Sequence, residues 1–160
     1  MVKNKPAVDL LKIALIGTSK GTKYASLYAL NYNYINAFVS EVGLSFIWSS
    51  KRYIKSCCSY NGKSLSRARR GLIEAIKFLK STDGKVRIQL PYILSVFKNT
   101  KRIEKRATKI ENIKGSILLI SGEDDRQWLS MMMSNQIKAR AEKHKFNYEI
   151  NHYSYENAEH

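Results

Sequence analysis

Ser19 stands in Gly17-Thr18-Ser19-Lys20-Gly21, a G-x-S-x-G pattern set between an apolar run at 13–16 and an amphipathic stretch at 20–31. This context separates a nucleophilic serine from an ordinary one: a buried strand delivers the chain to a sharp turn, and the turn lifts the hydroxyl above the sheet edge. The two flanking glycines suit a tight turn with a helix packed close to the strand. A helix starting near Lys20 aims its unpaired N–H groups and positive dipole end at the site. The Lys20 N–H is then the first expected donor to an oxyanion formed there. The alternative reading is a glycine-rich strand-to-helix turn with a capping serine.

A serine hydroxyl is a weak nucleophile and needs a histidine base, which in turn needs a carboxylate to fix its tautomer. After an elbow of this kind the partners follow in the order acid, then histidine. The run Ser116-Ile117-Leu118-Leu119-Ile120-Ser121 reads as a buried strand and ends in Gly122-Glu123-Asp124-Asp125. A carboxylate in the loop after a parallel strand lies at the carboxyl edge of the sheet, where such folds bind their ligands. Asp125 is the preferred acid, with Asp124 the alternative; either also suits an N-cap for a helix at 127–145.

Three histidines are present, His144, His152 and His160. His144 lies at a helix end between Lys143 and Lys145, where a cation complements the dipole. His152 falls inside an alternating, aromatic-rich stretch at 146–153 that reads as a strand, which suits a packed or surface role. His160 follows the loop 154–159 past that strand and is the preferred base. This chemistry calls for no metal and no cofactor.

These elements must be positioned by a sheet. Strands at 13–16, 35–39, 116–121 and 146–153 alternate with helices at 20–31, 66–80 and 127–145. The alternation predicts an α/β fold with a mostly parallel sheet of about four strands flanked by helices. In the 127–145 helix, Leu129, Met133, Ile137 and Ala141 form a core-facing stripe, with Met131 and Met132 as fillers. Residues 43–61 read as a loop, 86–97 is mixed because Pro91 argues against a central strand, and 102–110 reads as a charged helix.

The chain resembles the C-terminal catalytic domain shared by acyl-CoA thioesterases and bile acid-CoA:amino acid N-acyltransferase, relatives of dienelactone hydrolase in the α/β-hydrolase superfamily. The resemblance rests on 13–21 and 35–39, on Ser59-Tyr60-Asn61-Gly62-Lys63-Ser64-Leu65, on 117–128, and on Tyr155-Glu156-Asn157-Ala158-Glu159-His160. It implies a single catalytic domain over 1–160, partial on its N-terminal side, with 43–112 as a segment covering the site. It implies Ser19 as nucleophile, Asp125 as acid, His160 as base and acyl-CoA thioesters as substrates. The chain departs from the family pattern at Asn157 and Glu159, which replace glycines, and at Glu41 and Gly43, which stand where members carry Pro-Ser. Only twelve residues precede the first strand, so the expectation is a weakly active or inactive fragment, or one that pairs its exposed sheet edge with a second copy.

The formal net charge of +15 invites a phosphate-bearing partner. The lysines are spread along the whole chain, as on solvated faces. Aromatic–basic interleaving is too thin to argue for nucleic acid. One basic cluster, Lys51, Arg52, Lys55, Lys63, Arg67, Arg69 and Arg70, lies in the covering segment, where Lys51, Arg52 and Lys63 would meet the phosphates of coenzyme A. The adjacent Cys57 and Cys58 read as unbridged thiols, which suits a reducing cytoplasm. No signal peptide is evident, and no apolar run approaches the ~20 residues of a membrane span.

Overall fold

The computed structural model describes residues 8–9, 11–47, 56–65, 104, 106–127 and 129–160. The expected helix at 66–80 and the mixed stretch 86–97 lie outside the described residues, as do Lys51, Arg52, Lys55, Arg67, Arg69 and Arg70. So does most of the covering segment.

Four parallel strands form the sheet in spatial order β1-β2-β5-β6: β1 at Ala14–Thr18, β2 at Ala37–Glu41, β5 at Ser116–Gly122 and β6 at Ile150–Tyr155. Helix α1, Gly21–Asn31, connects β1 to β2, and helix α2, Ser130–Lys143, connects β5 to β6. This is the expected α/β architecture. Parallel neighbours need such crossovers, because a two-residue turn cannot reverse the chain twice. The core lies between the sheet and the helices: Phe38, Ile117 and Leu119 point from the strands, and Ala29, Ile137 and Ala141 from the helices. Ile35, Ile110 and Ile113 close it at one end. Met133 is buried as the stripe requires, but Leu129 precedes the helix, and Met132 is exposed rather than a filler.

The buried residues of α1 are Thr22, Lys23, Ser26 and Ala29, three of them small. Thr22 donates to the carbonyl of Gly17 at 2.8 Å and Ser26 to that of Lys23 at 3.0 Å, so the hydroxyls are buried with partners. Small side chains let the helix lie close against β1. A Cβ on Gly17 would stand only 2.6 Å from the Thr22 Cα. A Cβ on Gly21 would meet nothing among the described residues. The expectation that both elbow glycines are sterically required therefore holds for Gly17 alone.

Strand β6 begins at Ile150, four residues later than the alternating pattern from Phe146 suggests. Phe146 instead closes α2: its N–H bonds to the Ala141 carbonyl at 2.9 Å, and Lys145 takes φ 51°. A left-handed residue after a helix with a return bond to the last turn is the usual helix stop, made here without glycine. At the end of the expected loop 43–61, Ser59–Tyr60 (β3) pairs with Lys63–Ser64 (β4), just beyond it, as an antiparallel hairpin. Its turn residues Asn61 and Gly62 take φ 47° and 73°, as a two-residue hairpin turn demands. Of the charged stretch 102–110, Glu104 and Arg106 are helical and a 3-10 turn follows at Ile110–Asn112.

Candidate active site

The carboxyl ends of β1, β5 and β6 converge on one spot. Ser19 leaves β1 with φ 52°, a left-handed conformation for a residue with a Cβ. Such a backbone costs about 1–3 kcal/mol and persists only where the surroundings hold it. Here its N–H bonds to the Glu41 carbonyl at 2.9 Å, and its own carbonyl accepts the Thr22 N–H at 3.2 Å. Ser19 is thus pinned between β2 and the first turn of α1. Lys20 follows at the head of that helix, with ordinary helical φ and ψ.

Asp125 is 1% exposed and sits in the turn after β5. Its Oδ1 accepts the Gln127 N–H at 3.0 Å, and its carbonyl accepts the Leu129 N–H at 3.0 Å. Its Oδ2 lies 3.0 Å from His160 Nδ1. The turn-capping role and the pairing with histidine are therefore both present, one per carboxylate oxygen. Asp124 is exposed and contributes a backbone bond to the carbonyl of Ala158 at 3.2 Å.

His160 Nε2 lies 2.8 Å from Ser19 Oγ. An ionised carboxylate can only accept, so with Asp125 ionised Nδ1 carries the proton and Nε2 is left to accept from the serine hydroxyl. The loop that carries His160 is seated on β5. Glu123 donates its N–H to the Tyr155 carbonyl at 3.1 Å, and Ser154 Oγ donates to Glu123 Oε1 at 2.8 Å. Asn157 takes φ 56°, so the residue that replaces a glycine is among the side chains best able to adopt glycine's conformation. Gly122 is required here: a Cβ would collide with the carbonyls of Ala158 and Glu159.

The end of β2 and the residues after it belong to the same edge, and sequence reasoning gave them no role. Glu41 Oε2 accepts from Thr18 Oγ1 at 2.7 Å. Val42 takes φ 41°, which is strained for a β-branched side chain. Gly43 is buried where a Cβ would press on Ser40 Oγ and on the Thr22 side chain. Val42 carries no turn signal, whereas Gly43 after an apolar strand is the kind of punctuation that marks a close approach.

The structure brings together Ser19, Asp125 and His160, and sets Lys20 beside them. Of the residues expected to meet phosphates, Lys63 lies on the exposed β4, and Lys51 and Arg52 lie outside the described residues. His144 is exposed at the end of α2. His152 forms a second histidine network. Its Nε2 lies 2.7 Å from Ser121 Oγ, and its Nδ1 lies 3.1 Å from Asn135 Oδ1. Burial, with Lys138 nearby, holds its pKa below the ordinary histidine value. A cleft of about 310 Å³ between Ser45, Thr108, Gln136, Arg140 and His144 includes none of the residues brought together around Ser19. No group of three or more metal-ligating side chains occurs, and no helix is long and apolar enough to cross a membrane, among the described residues.

Comparison with solved structures agrees with this topology. The chain is 17% identical to the acylaminoacyl peptidase of Pyrococcus horikoshii, covering 99% of itself and 21% of that chain, with a TM-score of 0.55. It is 15% identical to a puromycin-hydrolysing peptidase of Mycobacterium tuberculosis, covering 96% of itself and 19% of that chain, with a TM-score of 0.53. For a puromycin hydrolase the identity is 14%, the coverage 99% and 20%, and the TM-score 0.54. At these identities the likeness establishes the α/β-hydrolase type of fold. The chain spans about a fifth of the length of these structures. A comparison with curated proteins found no match. Over residues 1–160 the sequence matches the family described as BAAT / Acyl-CoA thioester hydrolase C terminal. The converging strand ends and this match over the full sequence give one conclusion: the chain belongs to the BAAT / acyl-CoA thioester hydrolase C-terminal family, a family of hydrolase domains.

Proposed function

We propose that this chain is a serine hydrolase domain acting on acyl thioesters of the acyl-CoA type, through a triad of Ser19, His160 and Asp125. The observation that carries the reading is the unbroken run of contacts Ser19 Oγ–His160 Nε2 at 2.8 Å and His160 Nδ1–Asp125 Oδ2 at 3.0 Å, starting from a serine held at φ 52°.

In this reading His160 Nε2 takes the Ser19 proton as Oγ attacks the thioester carbonyl. The Lys20 N–H, at the positive end of α1, donates to the oxyanion. Collapse expels the thiolate, which leaves as a thiol after His160 returns the proton. Asp125 keeps the ring in the productive tautomer and stabilises the imidazolium. Water, activated by the same histidine, then attacks the acyl-enzyme and releases the acid. An amine in place of water would make the same site an N-acyltransferase. Lys63, with Lys51 and Arg52, is the proposed contact for the coenzyme A phosphates, and 43–112 the segment that covers the bound acyl chain.

A fluorophosphonate probe and an acyl-CoA hydrolysis assay test the reading on one sample. Labelling and turnover are expected in the wild-type chain and absent in Ser19→Ala. Labelling that survives the substitution overturns the assignment. A second reading applies to the sheet edge: Ile16 on β1 is 68% exposed, and β1 has a partner on one side only among the described residues. Pairing of that edge with a second copy is the proposal, and light scattering at rising concentration tests it.

A further inference from the structure

Away from the hydrolase machinery, three reactive side chains are packed together. Cys57 and Cys58 are adjacent and unbridged, with their sulfurs 3.0 Å apart. Lys23 Nζ, on α1, lies 3.7 Å from Cys57 Sγ. Lys23 is only 5% exposed, Cys58 is buried and Cys57 is half-exposed.

A buried ammonium needs a counter-charge. Within reach it has the Cys57 sulfur. A cation beside a thiol favours the thiolate, the form that attacks electrophiles. Cys58 is held in the opposite state: its contact with the Cys57 sulfur and its burial push its thiol pKa up. Burial pulls Lys23 below the ordinary lysine value, while the two sulfurs oppose that pull. Among the described residues, Tyr24 and Lys20 are also electrostatically coupled to the cluster. The arrangement is one half-buried sulfur beside a lysine ammonium, with a second, buried thiol within hydrogen-bonding distance.

We propose that Cys57–Cys58, with Lys23 as counter-ion, is a thiol–disulfide exchange site for low-molecular-weight disulfides, in which Cys57 attacks and Cys58 resolves. The Cys57 thiolate attacks one sulfur of the disulfide; that S–S bond breaks and a thiolate departs. Cys58 then loses its proton to the departing group and attacks the Cys57 sulfur, expelling the second thiolate. The protein gives up two electrons and two protons, and the small disulfide becomes two thiols. The product bridge is strained: neighbouring Cα atoms are about 3.8 Å apart across a trans peptide, short of the usual 4.4–6.8 Å of a disulfide. Strain of this kind makes a bond easily reduced, so the modification reverses with excess monothiol.

The test uses the full chain and oxidised glutathione, followed by intact-mass and peptide mass spectrometry. The wild-type chain is expected to pass through a transient glutathione adduct to a form lighter by two hydrogens, reversed by reduced glutathione. Cys58→Ser is expected to stop at a stable adduct on Cys57. Lys23→Met is expected to slow the first step about tenfold. The same reaction in urea gives the rate of the unstructured thiols and keeps the result readable if a variant misfolds. Reaction at Cys58 first, or a folded-state rate no faster than in urea, overturns the proposal.

Discussion

Two of the described serines share a hydrogen bond with a histidine ring whose far nitrogen meets a side-chain oxygen. At Ser19 the partners are His160 and Asp125; at Ser121 they are His152 and Asn135. The distances are similar, and both rings are oriented with Nδ1 toward the oxygen. Everything else differs. Ser19 sits in a strained elbow at a strand end, half-exposed, with a helix N-terminus following it. Ser121 lies inside β5, is 2% exposed and has relaxed strand neighbours. Asp125 sets a carboxylate against its ring; the Asn135 amide carries no charge, and burial, with Lys138 nearby, disfavours an imidazolium at His152. Hydrogen-bond geometry alone therefore does not make a catalytic serine. In the proposed reading the elbow, the exposure and the carboxylate set Ser19 apart, and the Ser121 network is a cross-link tying α2 to β5 and β6.

The sharpest way to break this contrast is to delete each hydroxyl. Ser19→Ala is expected to lower acyl-CoA turnover on the order of 10⁶-fold, as in other serine triads, and to abolish phosphonate labelling. Ser121→Ala is expected to leave labelling intact and to lower stability by about 1–3 kcal/mol, read from a denaturation curve. Labelling lost at Ser121 but kept at Ser19 would invert the comparison.

The next effect concerns the oxygen facing Nδ1. Asp125→Asn makes the first site resemble the second and is expected to cost about 10⁴-fold in turnover. Asp124→Asn, on an exposed side chain, is expected to cost far less. Equal losses would move the acid by one residue.

A smaller effect tests the seating of the His160 loop. Gly122→Ala places a methyl against the Ala158 and Glu159 carbonyls. A displacement near 1 Å is worth about 10²-fold in rate, so turnover is expected to fall by that order while phosphonate labelling slows in proportion. Unchanged turnover would show that the loop has room to adjust.

The smallest effect belongs to the second network. The folded pKa of His152 lies below its unfolded value of 6.5, so the unfolded chain binds the proton more readily. Stability from this group is complete above pH 6.5 and is lost as pH falls through the folded pKa. His152→Gln is expected to flatten that part of the stability–pH profile. An unaltered profile would assign the pH dependence to other groups. The pair of Glu111 and Arg140 titrates lower: burial pushes the Glu111 carboxyl up, but the bonds from Arg140 outweigh it and hold the carboxyl below its usual range.

Much of the site was legible in the chain because its parts are local. An apolar run before Gly17-Thr18-Ser19-Lys20-Gly21 and another before Gly122-Glu123-Asp124-Asp125 place a hydroxyl and a carboxylate at strand ends. What was illegible depends on contacts between distant segments. Phe146–Glu149 alternates like a strand, yet Lys145 stops α2 in a left-handed conformation without the glycine that would have announced it. Asn61-Gly62 is a hairpin signal, and β3 and β4 pair around it at the edge of the stretch that reads as a loop. The Ser121–His152 network requires the register that sets Leu119 against His152 and brings Asn135 over the sheet; no spacing rule supplies it. The strain at Val42 has no sequence signal at all.

The contact between Ser19 and His160 spans 141 positions of sequence, and that between Asp125 and His160 spans 35. Closing a loop of the first kind is among the slowest events in assembling a parallel sheet, because the entropy is lost before any contact offsets it. The elbow and its helix can form early from neighbouring residues, leaving the serine hydroxyl in place but without a base. Reactivity would then arise as one of the last steps of folding, once β5 and β6 have docked. A refolding chain should regain its helical signal before it regains any capacity to be labelled, and the lag between the two would time the docking of those strands.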